Sequence, residues 1–142
     1  LIEQYLLDTC VLSEYIRKQP AIKVIQWLDL QSEDSLFISV LSIGEIKKGI
    51  VKIESSQPIK YQNLNEWLQI LSQRFEQQIL VLDQEVLIQW GNICGKFEQT
   101  GRKLPVIDSL IAATAITHKL TLVTRNESDF LPLNIPLYNP WS

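Results

Sequence analysis

Leu104-Pro105-Val106-Ile107-Asp108-Ser109-Leu110-Ile111-Ala112-Ala113-Thr114-Ala115-Ile116-Thr117-His118-Lys119-Leu120-Thr121-Leu122-Val123-Thr124 decides the fold. Val106 to His118 reads as a mostly apolar helix, with Pro105 suited to its first turn. Leu120 to Thr124 reads as a short apolar strand directly behind it. Near-continuous apolar strands separated by helices are the mark of a parallel sheet covered on both faces. Asp108 stands out because it opens that apolar helix. A carboxylate beside buried structure is costly unless it is hydrated, paired or bound to a metal.

The same alternation of β-rich runs and helical stretches continues along the rest of the chain. Gln4 to Leu7 reads as a strand, and Cys10 to Arg17 as a short helix stopped before Pro20. Ala21 to Leu30 reads as a helix with Ile22, Ile25, Trp27 and Leu28 inward. Leu36 to Val40 is a strand by composition, Ile43 to Ile53 a helix, and Ser55-Ser56-Gln57-Pro58 a turn. Leu64, Trp67, Leu68, Leu71 and Phe75 recur at helical spacing, giving an amphipathic helix that runs to Gln77. Ile79 to Leu82 is a strand. Gln84 to Gln99 is a second amphipathic helix, with Val86, Trp90, Ile93, Cys94 and Phe97 on one side and Gly101 as its C-cap. A last short strand is expected near Pro136-Leu137-Tyr138. The chain shows no repeat, low-complexity tract or domain-sized linker. The expectation is a single α/β domain over residues 1–142, with a central parallel sheet of about five strands and helices on both faces.

In such a sheet, ligands bind at the carboxyl ends of the strands. Four acids lie at strand ends or at the starts of the helices that follow. Asp8 ends the run Tyr5-Leu6-Leu7, and Glu45 follows the strand ending at Val40. Asp108 opens its helix, and Asp129 follows the strand ending at Thr124. Parallel strands would bring all four together. Carboxylate oxygens suit Mg²⁺ and Mn²⁺, which usually keep several waters. Such a cluster is the usual apparatus for cutting a phosphodiester: the ion activates a water and neutralises charge on the phosphoryl oxygens, and a two-ion site would place the ions roughly 3.5–4 Å apart.

Each acid also has a plainer explanation. Asp8 could cap the helix that follows it, and Asp108 could act through the helix dipole. Glu45 could be an ordinary surface residue, and Asp129 a first-turn acid with Asn126 as N-cap. The conjunction of all four is what points to a site. Of the basic residues near the expected pocket edges, Lys47, Lys48 and Arg125 are candidates for phosphate contact. Solvated charge is the alternative for each.

Composition removes several other classes. The chain is 46 % hydrophobic and 20 % charged, which is globular and not disordered. A net charge of −3 argues neither for nor against nucleic acid. Cys10 and Cys94 have no metal-type spacing and form no disulfide framework, so a reducing cytoplasm is the expected compartment. With His118 as the single histidine, neither a zinc site nor a Ser-His catalytic pair is expected, and metal-activated water is the economical mechanism. No apolar run approaches the ~20 residues of a membrane span. Leu1-Ile2-Glu3-Gln4 lacks the order of a secretory leader. Trp27, Trp67 and Trp90 serve either the core or a surface for a partner.

Four ordered stretches resemble a known family. Leu6-Leu7-Asp8-Thr9-Cys10-Val11-Leu12-Ser13-Glu14 resembles the opening of a PIN domain. Ile38-Ser39-Val40-Leu41-Ser42-Ile43-Gly44-Glu45-Ile46-Lys47-Lys48-Gly49-Ile50 is similar to its second acidic motif. The stretch from Leu104 to Ala115 is similar to the third, and Leu122-Val123-Thr124-Arg125-Asn126-Glu127-Ser128-Asp129-Phe130 to the fourth. Tyr138-Asn139-Pro140-Trp141 also resembles endings in the VapC/FitB-like branch.

The resemblance implies a Rossmann-like fold and a Mg²⁺- or Mn²⁺-dependent ribonuclease, the toxin of a type II toxin–antitoxin pair. It implies RNA as substrate, a VapB-like antitoxin as partner and a homodimer. It assigns Asp8 and Asp108 as metal ligands, Glu45 as the third acid and Thr9 as a supporting hydroxyl. Cys10 stands where the family often has Asn, and Asn126 where many members have Asp, so either Asn126 or Asp129 fills the fourth position. The rivals to a ribonuclease are a non-catalytic PIN-fold binding module and a metal-dependent phosphatase.

Overall fold

The structure, a computed structural model, describes residues 3–142; the leader reading at Leu1 and Ile2 lies outside the described residues. Five strands form one sheet: β1 (Tyr5–Leu7), β2 (Leu36–Ser39), β3 (Ile79–Leu80), β4 (Thr121–Val123) and β5 (Leu137–Tyr138). Their order is β3-β2-β1-β4-β5, and every pairing is parallel. The chain builds outward from β1 to β3 and then returns to the other side of β1. A topological switch point therefore lies between β1 and β4. Right-handed crossovers in opposite directions place helices on opposite faces of such a sheet.

Alternation along the strands fills both faces. Leu7 and Val123 turn into one core with Val11, Val24, Leu28, Ile46 and Phe75, while Leu6 and Leu122 turn into the other with Ile111, Ala112 and Phe130. The helices are α1 (Thr9–Ser13), α2 (Ile22–Leu30), α3 (Val40–Lys52), α4 (Pro58–Arg74), α5 (Gln84–Gln99), α6 (Val106–His118) and α7 (Glu127–Phe130). α5 and α6 form a helical hairpin between β3 and β4, joined where the Trp90 indole N–H donates to Ser109 Oγ at 2.9 Å. α5 ends on Gly101 at φ 75, where Arg102 N–H reaches Phe97 O at 2.9 Å, a closure that L side chains resist.

The boundaries shift where side chains compete for the backbone. α1 stops at Ser13 and passes through a 3₁₀ turn over Glu14–Ile16, leaving Arg17 extended. The buried Glu14 carboxylate draws the chain aside by accepting Ala21 N–H at 2.7 Å and Arg17 Nη1–H at 3.0 Å. α3 begins at Val40, not Ile43, because the Ser39 hydroxyl caps Leu41 N–H at 3.1 Å and ends β2 a residue early. α4 begins at Pro58, inside the expected turn, with proline at its first position. Pro105 sits at the N-cap of α6, one residue before its first turn. In α2, Val24 and Leu28 face the core and Ile22 points to solvent, since the i, i+4 pair fits the groove better than the first residue of the helix.

Trp27 packs edge-on against Tyr5, with ring centres 4.9 Å apart, and Trp67 packs against the core beside α3. All three tryptophans proposed for a partner surface are thus half-buried within the fold. Among the described residues no helix is long and apolar enough to cross a membrane.

Candidate active site

Asp8 leaves β1 at the switch point, its backbone N–H donating to Val123 O on β4 at 3.0 Å. It is 8 % exposed and caps α1 by accepting Thr9 N–H on Oδ1 at 2.8 Å. Capping and a site role therefore coexist in this residue. Its second oxygen accepts the Thr124 hydroxyl at 2.8 Å, and that hydroxyl in turn accepts Asn126 N–H at 3.1 Å. The end of β4 thereby fixes the carboxylate at the end of β1. Burial pushes the Asp8 carboxyl above the usual carboxylate range. The Thr124 hydroxyl and Thr9 N–H draw it back, and the Glu45 charge raises it again.

Glu45 arrives from the second turn of α3. The Thr9 hydroxyl lies 2.7 Å from Glu45 Oε1 and 2.8 Å from the buried Ser42 Oγ. Thr9 has one proton to give, and the carboxylate is the stronger acceptor. Ser42 and Glu45 are three residues apart and share one face of α3. Thr9 thus links the first acid to the third, its N–H bonded to Asp8 and its hydroxyl to Glu45.

Asp108 is half-buried in the first turn of α6. Burial raises its pKa first, then the charges of Asp8, Asp129 and Glu45 in that order. The charges of the other three acids therefore all bear on Asp108. Asp129 is exposed in α7, its N–H bonded to Asn126 O at 3.1 Å. Asn126 occupies the N-cap position of α7, but its side chain makes no capping bond.

Of the three cations expected near phosphate, Lys48 lines a cleft of about 520 Å³ together with Glu45 and Ile107. Lys47 is turned onto α4, where its ammonium donates to Asn65 and lies 5.9 Å from the Tyr61 ring centre. Arg125 lies over the Trp141 ring at 5.5 Å. Sequence reasoning did not single out Ser42 or Thr124. The signal available for Ser42 was its one-turn spacing from Glu45, and for Thr124 a hydroxyl closing an apolar strand. The Cys10 thiol lies 3.8 Å from Asp8 Oδ2, and burial with the Asp8 charge pushes its pKa up to about 11, so it stays protonated.

The donor set is all oxygen. Among the described residues, no three His, Cys, Asp or Glu side chains stand close enough to enclose an ion by themselves. Mg²⁺ needs fewer, since it is usually held by one or two carboxylates and keeps its waters. The mutual repulsion around Asp8 and Asp108 is what such a charge would relieve. The residues fit a hydrated hard cation and do not fit zinc.

A family model described as PIN domain matches residues 5–131. Toxin FitB of Neisseria gonorrhoeae is 32 % identical over 137 residues, covering 96 % of this chain and 97 % of that one. VapC ribonuclease Y4jK of Sinorhizobium fredii is 28 % identical, covering 95 % of this chain and 96 % of its own. The crystal structure of FitAcB from Neisseria gonorrhoeae superposes with a TM-score of 0.88 at 32 % identity, over 97 % of this chain and 99 % of that one.

Proposed function

The chain belongs to the PIN domain family, and on that premise we propose that it is a Mg²⁺- or Mn²⁺-dependent endoribonuclease, the toxin of a VapBC-like type II toxin–antitoxin pair. The observation that carries the proposal is Asp8 at the switch point of a parallel sheet, linked through Thr9 to Glu45, with the charges of Asp8, Asp129 and Glu45 all bearing on Asp108. Similarity to Toxin FitB and to a VapC ribonuclease supports it. Asp8 and Asp108 would hold the ion, which when bound supplies Lewis acidity and a more acidic water. Glu45, held by Thr9, orients the attacking water and draws on its proton. Asp129 would hold outer waters of the ion or serve a second one. Lys48 steadies the phosphate from the same cleft as Glu45. As the water oxygen bonds to phosphorus, the bond to the leaving sugar oxygen breaks. The proposed partners are an RNA substrate, a VapB-like antitoxin and a second copy of the chain, in the cytoplasm.

The test is incubation of the purified chain with an unstructured RNA and Mg²⁺, with and without EDTA. Cleavage abolished by EDTA is expected. A PIN-fold binding module is the competing reading, favoured by Asn126 in place of a carboxylate and by the lack of three gathered ligand side chains among the described residues. Intact RNA together with no Mn²⁺ binding would establish it instead. Hydrolysis of a small phosphate ester with RNA left whole would mark a phosphatase.

Thr124→Val should lower kcat/KM by about tenfold at neutral pH, the scale of one hydrogen bond to a charged group. That hydroxyl is one of the groups holding the Asp8 pKa down. Its loss should move the acidic limb of the pH–rate profile to higher pH. A reduced rate with the limb unmoved would make Thr124 a packing residue only.

A further inference from the structure

Hydrogen bonds hold the carboxylates of Asp8 and Glu45, whereas among the described residues nothing is hydrogen-bonded to the Asp108 carboxylate. Its place is therefore set by the turn that carries it. That turn is the first of α6, and the usual fastenings of a helix start are missing there. Pro105 stands at the N-cap, with no side-chain oxygen to receive the free N–H groups of the turn. Val106 and Ile107 are 56 % and 38 % exposed, so their side chains do not seat the turn by packing. The apolar core takes hold at Ile111 and Ala112, one turn further on.

Ser109 supplies what is missing. It is buried, and its N–H donates to Pro105 O at 2.9 Å. Its hydroxyl donates to Val106 O at 2.7 Å, which closes the turn on itself. The same hydroxyl oxygen accepts the Trp90 indole N–H at 2.9 Å, and Trp90 belongs to α5, the helix packed along α6. One hydroxyl thus gives its proton within α6 and receives a bond from α5, so both of its capacities are used. Thr114 and Thr117 also bond back to their own helix, to Leu110 O and Ala113 O at 2.8 Å. Among the described residues neither receives a bond from another helix. A serine is a poorer helix former than alanine, and a back-bonded hydroxyl tends to bend its helix. The bond from Trp90 is what makes serine the fitting residue at this position.

The load on this turn is electrostatic. With no ion bound, the charges of Asp8, Asp129 and Glu45 all push on Asp108. A turn with neither a cap nor a packed side yields to that push, and one tied to a second helix resists it. We propose that Trp90 is a positioning residue, which through Ser109 fastens the first turn of α6 to α5 and so fixes where Asp108 presents its carboxylate to the ion. The inference rests on the metal-dependent reading above. It adds a residue from α5, a helix that carries none of the four acids.

The experiment measures Mn²⁺ affinity of the purified chain by electron paramagnetic resonance of the free ion, with RNA cleavage and Tm alongside. Trp90→Phe keeps an aromatic ring and removes the N–H. It should weaken Mn²⁺ about 3- to 10-fold, the scale of one hydrogen bond, and lower kcat/KM in step. Ser109→Ala should weaken Mn²⁺ at least as much, and Trp90→Phe should cost nothing further once Ser109 is alanine. Trp27→Phe, a change to a half-buried tryptophan beside Tyr5, should leave Mn²⁺ affinity at the parental value whatever it does to Tm. Mg²⁺ should also move the Trp90 indole ¹H–¹⁵N signal, identified by its absence in Trp90→Phe, and leave the Trp27 signal in place. Parental Mn²⁺ affinity in Trp90→Phe and Ser109→Ala would overturn the anchor. So would losses that add in the double variant, or an equal loss in Trp27→Phe, which would mark lowered stability alone. A parent chain that binds no Mn²⁺ would instead overturn the metal-dependent reading, and the anchor with it.

Discussion

Asp108→Asn should reduce RNA cleavage on the order of a thousandfold or more while the protein stays folded, the scale expected when a group that neutralises transition-state charge is lost. Asparagine keeps the shape of the side chain and removes the negative charge. The site is half-buried at the start of α6, so the change leaves no cavity. Asp108 is also the acid on which the charges of Asp8, Asp129 and Glu45 all act. Circular dichroism should match the parent, and an RNA ladder should show no cut. A mutant that cuts at the parental rate would remove Asp108 from the machinery and leave the acids without a common purpose.

The link between Asp8 and Glu45 was legible because a parallel sheet converts positions far apart in sequence into neighbours, here through Thr9. The strand-end position of Asp8 and the helix-start position of Asp108 needed only the β–α alternation to be read together, whereas Asp129 lies beyond the strand end, in α7. The supporting hydroxyls were less legible. Thr124 is an unremarkable residue until β4 pairs with β1 and brings its hydroxyl 2.8 Å from Asp8. That pairing is set by strand order, which local sequence does not carry. Lys47 and Lys48 look equivalent in the sequence, yet one residue of helix turns them about 100° apart, so that Lys47 meets α4 and Lys48 the cleft. Val40 reads as strand because β-branched residues favour strands, yet it opens α3. The Ser39 cap outweighs that preference here. Ile22 and Val24 differ in burial for a similar reason: the helix phase is set by the surface it packs on, and the segment alone is apolar at both positions.

Divalent metal should stabilise the chain, and Asp108→Asn should both raise metal-free stability and remove that response. The sign follows from the direction of the shifts. Asp8 and Asp108 have folded pKa values raised above their unfolded ones. Their contribution to stability is therefore present below the unfolded carboxylate value and is lost as pH rises through the raised folded value. At neutral pH the metal-free protein carries both charges at a disadvantage. Glu14 works the other way. Burial pushes it up, but Ala21 N–H and Arg17 outweigh burial and lower its pKa, so its contribution is held at neutral pH and lost on acidification. Mn²⁺ at a hundred times its Kd should add about 2.7 kcal/mol, a rise in Tm of about 5–10 °C for a chain near this size. Asp108→Asn removes one of the opposed charges, so its metal-free Tm at pH 7 should exceed the parent's, and Mn²⁺ should shift it far less. At low pH, where the parent's Asp108 is protonated as well, the metal-free difference should close. A mutant less stable than the parent at pH 7, with an undiminished metal shift, would mean that these acids are set apart from the ion and that their repulsion serves some other end. If the prediction holds, the destabilising charge and the catalytic charge are the same charge, kept because a hard cation and the phosphate it carries are what neutralise it.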